Sequence, residues 1–136
     1  MRVLVDTSVW VDFLNGHSSR EAETLAQLIR DEAELITCGL VVAEVLQGLR
    51  SAKSLSAVAS HFREMEWLTP REPETYLEAA DISRRLRLRG VTIRSTIDCV
   101  IANLAANHDA LILSKDRDLA LIVESKLISL RAMAIG

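Results

Sequence analysis

Short apolar runs alternate with helical periodicity along the whole chain. Val3-Leu4-Val5, Leu35-Ile36-Thr37, Leu111-Ile112-Leu113 and Leu127–Leu130 read as strands, and Glu66–Leu68 is a further strand candidate. The runs are uninterrupted rather than alternating, as expected where helices cover both faces of a sheet. Between them lie helical patterns. Residues 18–33 place Ala22, Leu25, Ala26, Ile29 and Ala33 on one face, and Gly39 opens a helix with the stripe Val42, Val45, Leu46 and Leu49. Another helix is predicted over 52–65. Pro70 and Pro73 mark a break before a helix over 74–88, which ends near Gly90. The cleanest periodicity is at 97–108, through Ile97, Val100, Ile101, Leu104, Ala105 and His108. A short helix separates the last two strands.

Strand alternating with helix implies parallel strands joined by right-handed crossovers. The predicted class is α/β, a three-layer α/β/α sandwich around a central parallel sheet. No linker, repeat or low-complexity tract interrupts residues 1–136, so a single domain is expected. In such sheets ligands collect beyond the carboxyl ends of the strands, and the search for chemistry begins there.

Composition narrows the options. Hydrophobic residues make up 49% and charged residues 26%, which suits a soluble globular chain. No apolar run approaches the ~20 residues of a membrane span. Arg2–Val5 is too short for a signal peptide, and a cytoplasmic setting is expected. Cys38 and Cys99 show no ligand spacing and read as buried thiols. The net charge of −3 argues against a broad nucleic-acid-binding surface, but the basic residues are unevenly placed. Thirteen of the sixteen are arginine, and Arg84, Arg85, Arg87, Arg89 and Arg94 fall close together. Arginine forks onto phosphate, so this run is either a phosphate contact or a solvated helix end.

Several chemistries lack their residues. There is no GxxxxGK(S/T), no GxGxxG after a strand and no GxSxG elbow. His17, His61 and His108 stand singly, and Trp10, Phe13, Phe62, Trp67 and Tyr76 are too few for a base-stacking platform. What remains is acid. Asp6 follows the first strand directly, with Thr7 or Ser8 able to cap the helix that starts there. Asp116 and Asp118 follow the strand at 111–113. Asp98 sits in the first turn of the helix at 97–108, behind a Thr96 cap, and Glu44 lies in the first turns of the helix opened by Gly39. Any one of these is explicable as a turn former or a helix-dipole partner. Together, separate segments deliver acids to one sheet edge. Clustered carboxylates repel and raise their own pKa values, and a divalent cation relieves that repulsion. Oxygen-only ligation selects magnesium or manganese, ions that activate water and stabilise a phosphodiester transition state. The residues therefore point to a metal-dependent phosphodiester or phosphate hydrolase.

Four blocks then occur in a recognisable order: Val5-Asp6-Thr7-Ser8-Val9-Trp10-Val11-Asp12, Val42-Ala43-Glu44-Val45, Thr96-Ile97-Asp98-Cys99-Val100-Ile101-Ala102 and Leu113-Ser114-Lys115-Asp116-Arg117-Asp118. Their spacing resembles that of PIN-domain ribonucleases, most closely the VapC toxins of type II toxin–antitoxin systems. The resemblance spans essentially the whole chain. It implies an acidic quartet of Asp6, Glu44, Asp98 and Asp116, in which Asp6 and Asp98 are the principal Mg2+ ligands and Mn2+ is a possible substitute. Glu44 and Asp116 would complete the shell through waters. Asp118 would be a supporting acid, Ser8 a hydroxyl orienting Asp6, and Ser114 the hydroxyl at the family's usual threonine. Leu119 stands at the usual phenylalanine. The implied activity is endonucleolytic cleavage of structured RNA, such as tRNA, by a water activated at the metal, leaving a 5′-phosphate and a 3′-hydroxyl. Implied partners are a VapB-like antitoxin, a second toxin copy, and operator DNA reached only through the antitoxin. Arg84, Arg87, Arg89 and Arg94 would supply phosphate contacts. A non-catalytic module of the same fold is the competing expectation; the intact acidic set argues against it. A phosphoaspartate enzyme fits worse, because Asp6 is followed by Thr7-Ser8 rather than by a second aspartate, and Lys126 precedes the final strand instead of following it.

Overall fold

The computed structural model describes residues 1–135. Five parallel strands form its sheet: β1 (Arg2–Val5), β2 (Glu34–Cys38), β3 (Glu66–Leu68), β4 (Leu111–Leu113) and β5 (Arg131–Ala132), in the order β3-β2-β1-β4-β5. Strand β1 is central, and its apolar run Val3, Leu4 and Val5 is fully buried. Burying side chains of this size stabilises by about 1.5–3 kcal/mol each, and truncating Leu4 to alanine would cost about 2–5 kcal/mol.

Helices cover both faces: α1 (Thr7–Asn15), α2 (Arg20–Arg30), α3 (Gly39–Gln47), α4 (Leu55–Glu64), α5 (Glu74–Leu88), α6 (Thr96–Asn107) and α7 (Arg117–Ser125). Helix α6 is the most enclosed, buried without interruption from Cys99 to Ala105. No helix among the described residues is long and apolar enough to cross a membrane.

The departures from the sequence pattern have local causes. The last strand is at Arg131–Ala132 instead of Leu127–Leu130. Lys126 takes a left-handed conformation (φ 61°) as the cap of α7, and the apolar run that follows turns inward, with Leu130 buried. Strand β5 is a short edge strand with both residues exposed, so it lacks the apolar signature used to find strands. Helix α2 is shorter than predicted: Ser19 caps its start and Glu32 (φ 53°) follows its end. Ile29, expected on the buried face, is 41% exposed. Residues 52–54 form a separate 3-10 turn before α4, and Leu49 lies beyond the end of α3. Ser95, not Thr96, caps α6, and Ile97 is on the surface.

The chain proceeds outward from β1 to β2 and β3, then returns to place β4 on the other side of β1. The order of strands thus reverses between β1 and β4, and a cleft opens at such a point beyond the carboxyl ends. There the main-chain N–H of Asp6 donates to the Leu113 carbonyl at 2.9 Å, which ties the two strand ends together.

Candidate active site

Asp6 directly follows β1 and is itself the N-cap of α1, a role the sequence pattern gave to Thr7 or Ser8. Its Oδ2 accepts from Ser8 Oγ at 2.8 Å and Ser114 Oγ at 3.0 Å, with the Ser8 N–H at 3.4 Å. Only 4% of the residue is exposed. Burial raises its carboxyl pKa, and the hydrogen bonds from Ser8 and Ser114 partly oppose the rise.

Ser114 connects two acids. Besides donating to Asp6, its Oγ accepts from the Asp116 N–H at 2.9 Å. Asp116 in turn caps α7, its Oδ1 accepting from the Asp118 N–H at 2.7 Å and from the Leu119 N–H at 3.3 Å. Leu119 is buried beneath that helix start. Glu44 reaches the cleft from α3, where its Oε1 accepts from Thr7 Oγ1 at 3.0 Å. Thr7 is therefore a site residue that sequence reasoning took for a helix cap. Its position directly after Asp6 was visible; its partner, 37 positions away, was not.

Asp98 rises from the first turn of α6. Its carboxyl is pushed up to about 7, first by burial and then by the negative charges of Asp116, Asp6, Asp118 and Glu44. Five acids from four separate helices and their caps thus act on one another. One carboxylate oxygen from each of Asp98, Asp116 and Asp118 lies within 4.8 Å of the others. Asp118 is 1% exposed: its Oδ2 accepts from the Arg94 N–H and Arg94 Nε, both at 3.1 Å, while Oδ1 is buried without a partner. A buried carboxylate oxygen in this state is costly, and a bound cation is the partner its chemistry fits. Magnesium or manganese suits the all-oxygen donor set formed by Asp98, Asp116 and Asp118, with Asp6 and Glu44 beside it.

The buried, free thiols flank the same centre. Burial raises the Cys38 thiol, and burial with the nearby Asp98 and Asp118 pushes Cys99 up to about 11, so neither is a nucleophile at neutral pH. Lys115 pairs with Asp12, and its hydrogen bond holds that carboxyl below the ordinary carboxylate range.

The arginine run divides. Arg94 is at the acids, and its guanidinium pKa is raised chiefly by the hydrogen bond to Asp118. Arg85 pairs with Asp81 one turn away on α5, and Arg89 Nη1 donates to the Ser125 carbonyl at 2.9 Å. Arg84 and Arg87 are exposed on α5.

The PIN domain family model matches residues 3–124. Among curated proteins, ribonuclease VapC11 of Mycobacterium tuberculosis is 31% identical over 121 residues, covering 88% of this chain and 90% of that protein. Among solved structures, VapBC-1 from nontypeable Haemophilus influenzae has a TM-score of 0.69 at 19% identity, covering 98% of this chain and 97% of the other. M. tuberculosis VapC20, described as a sarcin-ricin loop cleaving toxin, has a TM-score of 0.66 at 18% identity, covering 88% and 93%. The two structures share the fold. With the family match over nearly the whole length and a relative above 30% identity, this chain belongs to the PIN domain family and, within it, to the VapC ribonucleases.

Proposed function

We propose that this chain is a divalent-metal-dependent endoribonuclease and the toxin of a type II toxin–antitoxin pair. One observation carries it: carboxylate oxygens of Asp98, Asp116 and Asp118 lie within 4.8 Å of one another, and Asp118 Oδ1 is buried with no hydrogen-bond partner. Side chains crowded in this way are stabilised by a cation among them. Asp6, Asp98, Glu44 and Asp116 are the residues proposed to hold Mg2+ or Mn2+, with Asp118 as an additional oxygen. When bound, the ion supplies an activated water and charge stabilisation on the phosphodiester. The chain's own residues do the rest. Ser8 and Ser114 orient Asp6, Thr7 orients Glu44, and the Asp116 cap keeps its carboxylate at the helix start. Arg94 offers its exposed guanidinium to a substrate phosphate, and Arg84, Arg87 and Arg89 are proposed as more distant contacts.

The substrate proposed is structured RNA, such as tRNA. VapC20, a fold neighbour, is described as cleaving the sarcin-ricin loop, which supports a folded RNA as the class. The proposed partners are a VapB-like antitoxin that silences the toxin and a second copy of the chain, with operator DNA engaged only through the antitoxin. The name VapBC-1 of another fold neighbour supports that pairing. Residues 1–136 would act as one PIN unit in the cytoplasm.

The test is cleavage of purified tRNA and ribosomal RNA with Mg2+, with Mn2+ and with EDTA. Internal cuts bearing 5′-phosphates, lost with EDTA and suppressed by a co-purified antitoxin, are the expected result. Undiminished cleavage in EDTA would sink the metal-dependent reading.

A further inference from the structure

Arg94 differs from the other arginines of its run in one respect: it serves an acid of the cleft. It lies in the loop ahead of α6, where the preceding Ile93 is buried and the following Ser95 caps the helix that carries Asp98. Two of its donors, the main-chain N–H and Nε, converge on the same Asp118 oxygen, Oδ2, at 3.1 Å each. Two donors on one oxygen restrain the carboxylate in both position and tilt. The remaining oxygen, Oδ1, is buried and has no partner. An oxygen of Asp118 also lies within 4.8 Å of oxygens from Asp98 and Asp116.

The guanidinium itself stays outside. The Arg94 side chain is 69% exposed, and Asp118 is its one acidic partner; it bridges neither Asp98 nor Asp116. It therefore does not fill the space among the acids as a substitute cation. Two roles with opposite consequences can be told apart. As a plain positive charge beside the cleft, Arg94 would repel a divalent cation, and removing it would tighten metal binding by roughly a few-fold. As a brace on a metal-facing carboxylate it would favour the ion, since outer partners that orient ligands are worth about 10–100-fold in affinity.

We propose that Arg94 is a positioning residue for the divalent cation, acting through Asp118, which it holds in place to supply a ready-placed oxygen beside Asp98 and Asp116. The proposal rests on the metal-dependent reading above and adds a residue to it. Because the side chain is exposed, substitution removes the Nε half of the brace without opening the core, while the main-chain N–H contact stays.

The experiment is a Mn2+ titration of the full-length chain by calorimetry, without RNA. It compares wild type, Arg94→Gln, Arg94→Lys, Asp118→Asn and the Arg94→Gln/Asp118→Asn double variant, with thermal melts as a folding control. Arg94→Gln is expected to weaken Mn2+ binding about tenfold. Arg94→Lys, which keeps the charge that Arg94→Gln loses, should recover part of that loss; both variants keep the main-chain N–H contact. In the Asp118→Asn background, Arg94→Gln should change nothing further. Unchanged or tighter Mn2+ binding in Arg94→Gln would overturn the proposal, as would an equal loss in both Asp118 backgrounds. Should Arg94→Gln fail to fold, Arg94→Lys, made also in the Asp118→Asn background, carries the same comparison. Wild type that binds Mn2+ while Arg94→Gln matches it defeats this inference alone. Wild type that binds no Mn2+ defeats the metal-dependent reading along with it.

Discussion

The two ends of the sheet treat their acids in opposite ways. At the amino end, Arg2 on β1 pairs with Glu34 at the start of β2 and Glu66 at the start of β3, and its Nη1 donates to the His108 carbonyl. Asp109, just ahead of β4, pairs with Arg131 on β5. At the carboxyl end, Asp6, Glu44, Asp98 and Asp116 form no salt bridge among the described residues, and of the five acids only Asp118 has an arginine. The paired acids are about half exposed or more, a setting in which an ion pair is worth little, about 0.2–1 kcal/mol. The unpaired ones are buried or half-buried, where charge is costly. At the amino end acids are thus paired where water would have sufficed, while at the carboxyl end Asp6, Glu44, Asp98 and Asp116 have no basic partner. Unpaired carboxylates in a half-buried cleft suit a binding site for a positive ion.

The contrast is most sharply broken at Asp98. Asp98→Asn or Asp6→Asn is expected to reduce RNA cleavage to the level of an EDTA control, measured on a radiolabelled tRNA. The same Asp98→Asn change should stabilise the metal-free protein. Discounted for partial exposure, the gain is about 1 kcal/mol, or roughly 3–5 °C in Tm. The effect depends on pH with a definite sign. Asp98 has a folded pKa of about 7 against an ordinary 3.8, so between those values the folded state holds more protons than the unfolded one. Its stabilising contribution is full below about 4 and lost as pH rises through 7. Melting curves in EDTA from pH 5 to 8 should therefore fall with pH in wild type and flatten in Asp98→Asn; parallel curves would mean that Asp98 is not the strained group.

Next in size is Ser114→Ala. It removes a donor to Asp6 and an acceptor for the Asp116 N–H, each partner costing about 1–3 kcal/mol when left unsatisfied. A fall in kcat of about ten- to a hundredfold is expected from steady-state kinetics. Thr7→Val deletes only the hydrogen bond to half-buried Glu44. The expected loss is about fivefold, and a rate equal to wild type would remove Thr7 from the site. At the other end, Arg2→Ala should leave cleavage intact and lower stability by no more than about 1 kcal/mol by urea denaturation. A loss of activity there would erase the difference between the two ends.

Much of this was legible in the chain. The uninterrupted runs at β1, β2 and β4 mark strands enclosed on both faces, and Asp6, Asp98 and Asp116 stand at helix starts beside them. The edge strand β5 was misplaced, because two exposed residues carry no apolar signal and the Leu127–Leu130 run serves the core instead. The arginine run looked uniform in sequence, yet only Arg94 meets an acid of the cleft.

By itself, then, the sequence determined the class of fold and the oxygen-rich chemistry, because both depend on residue type and short-range period. Tertiary structure decided which carboxylates share one space and what each leans on. Thr7 finds Glu44 37 positions away, Ser114 finds Asp6 across 108, and Arg94 finds Asp118 across 24. The Thr7 pairing needs β2 beside β1 and the Ser114 pairing needs β4 beside β1, and no local pattern encodes the distance between two strand ends. Charge repulsion and burial act through that distance, so the electrostatics of the site belong to the fold rather than to any stretch of chain.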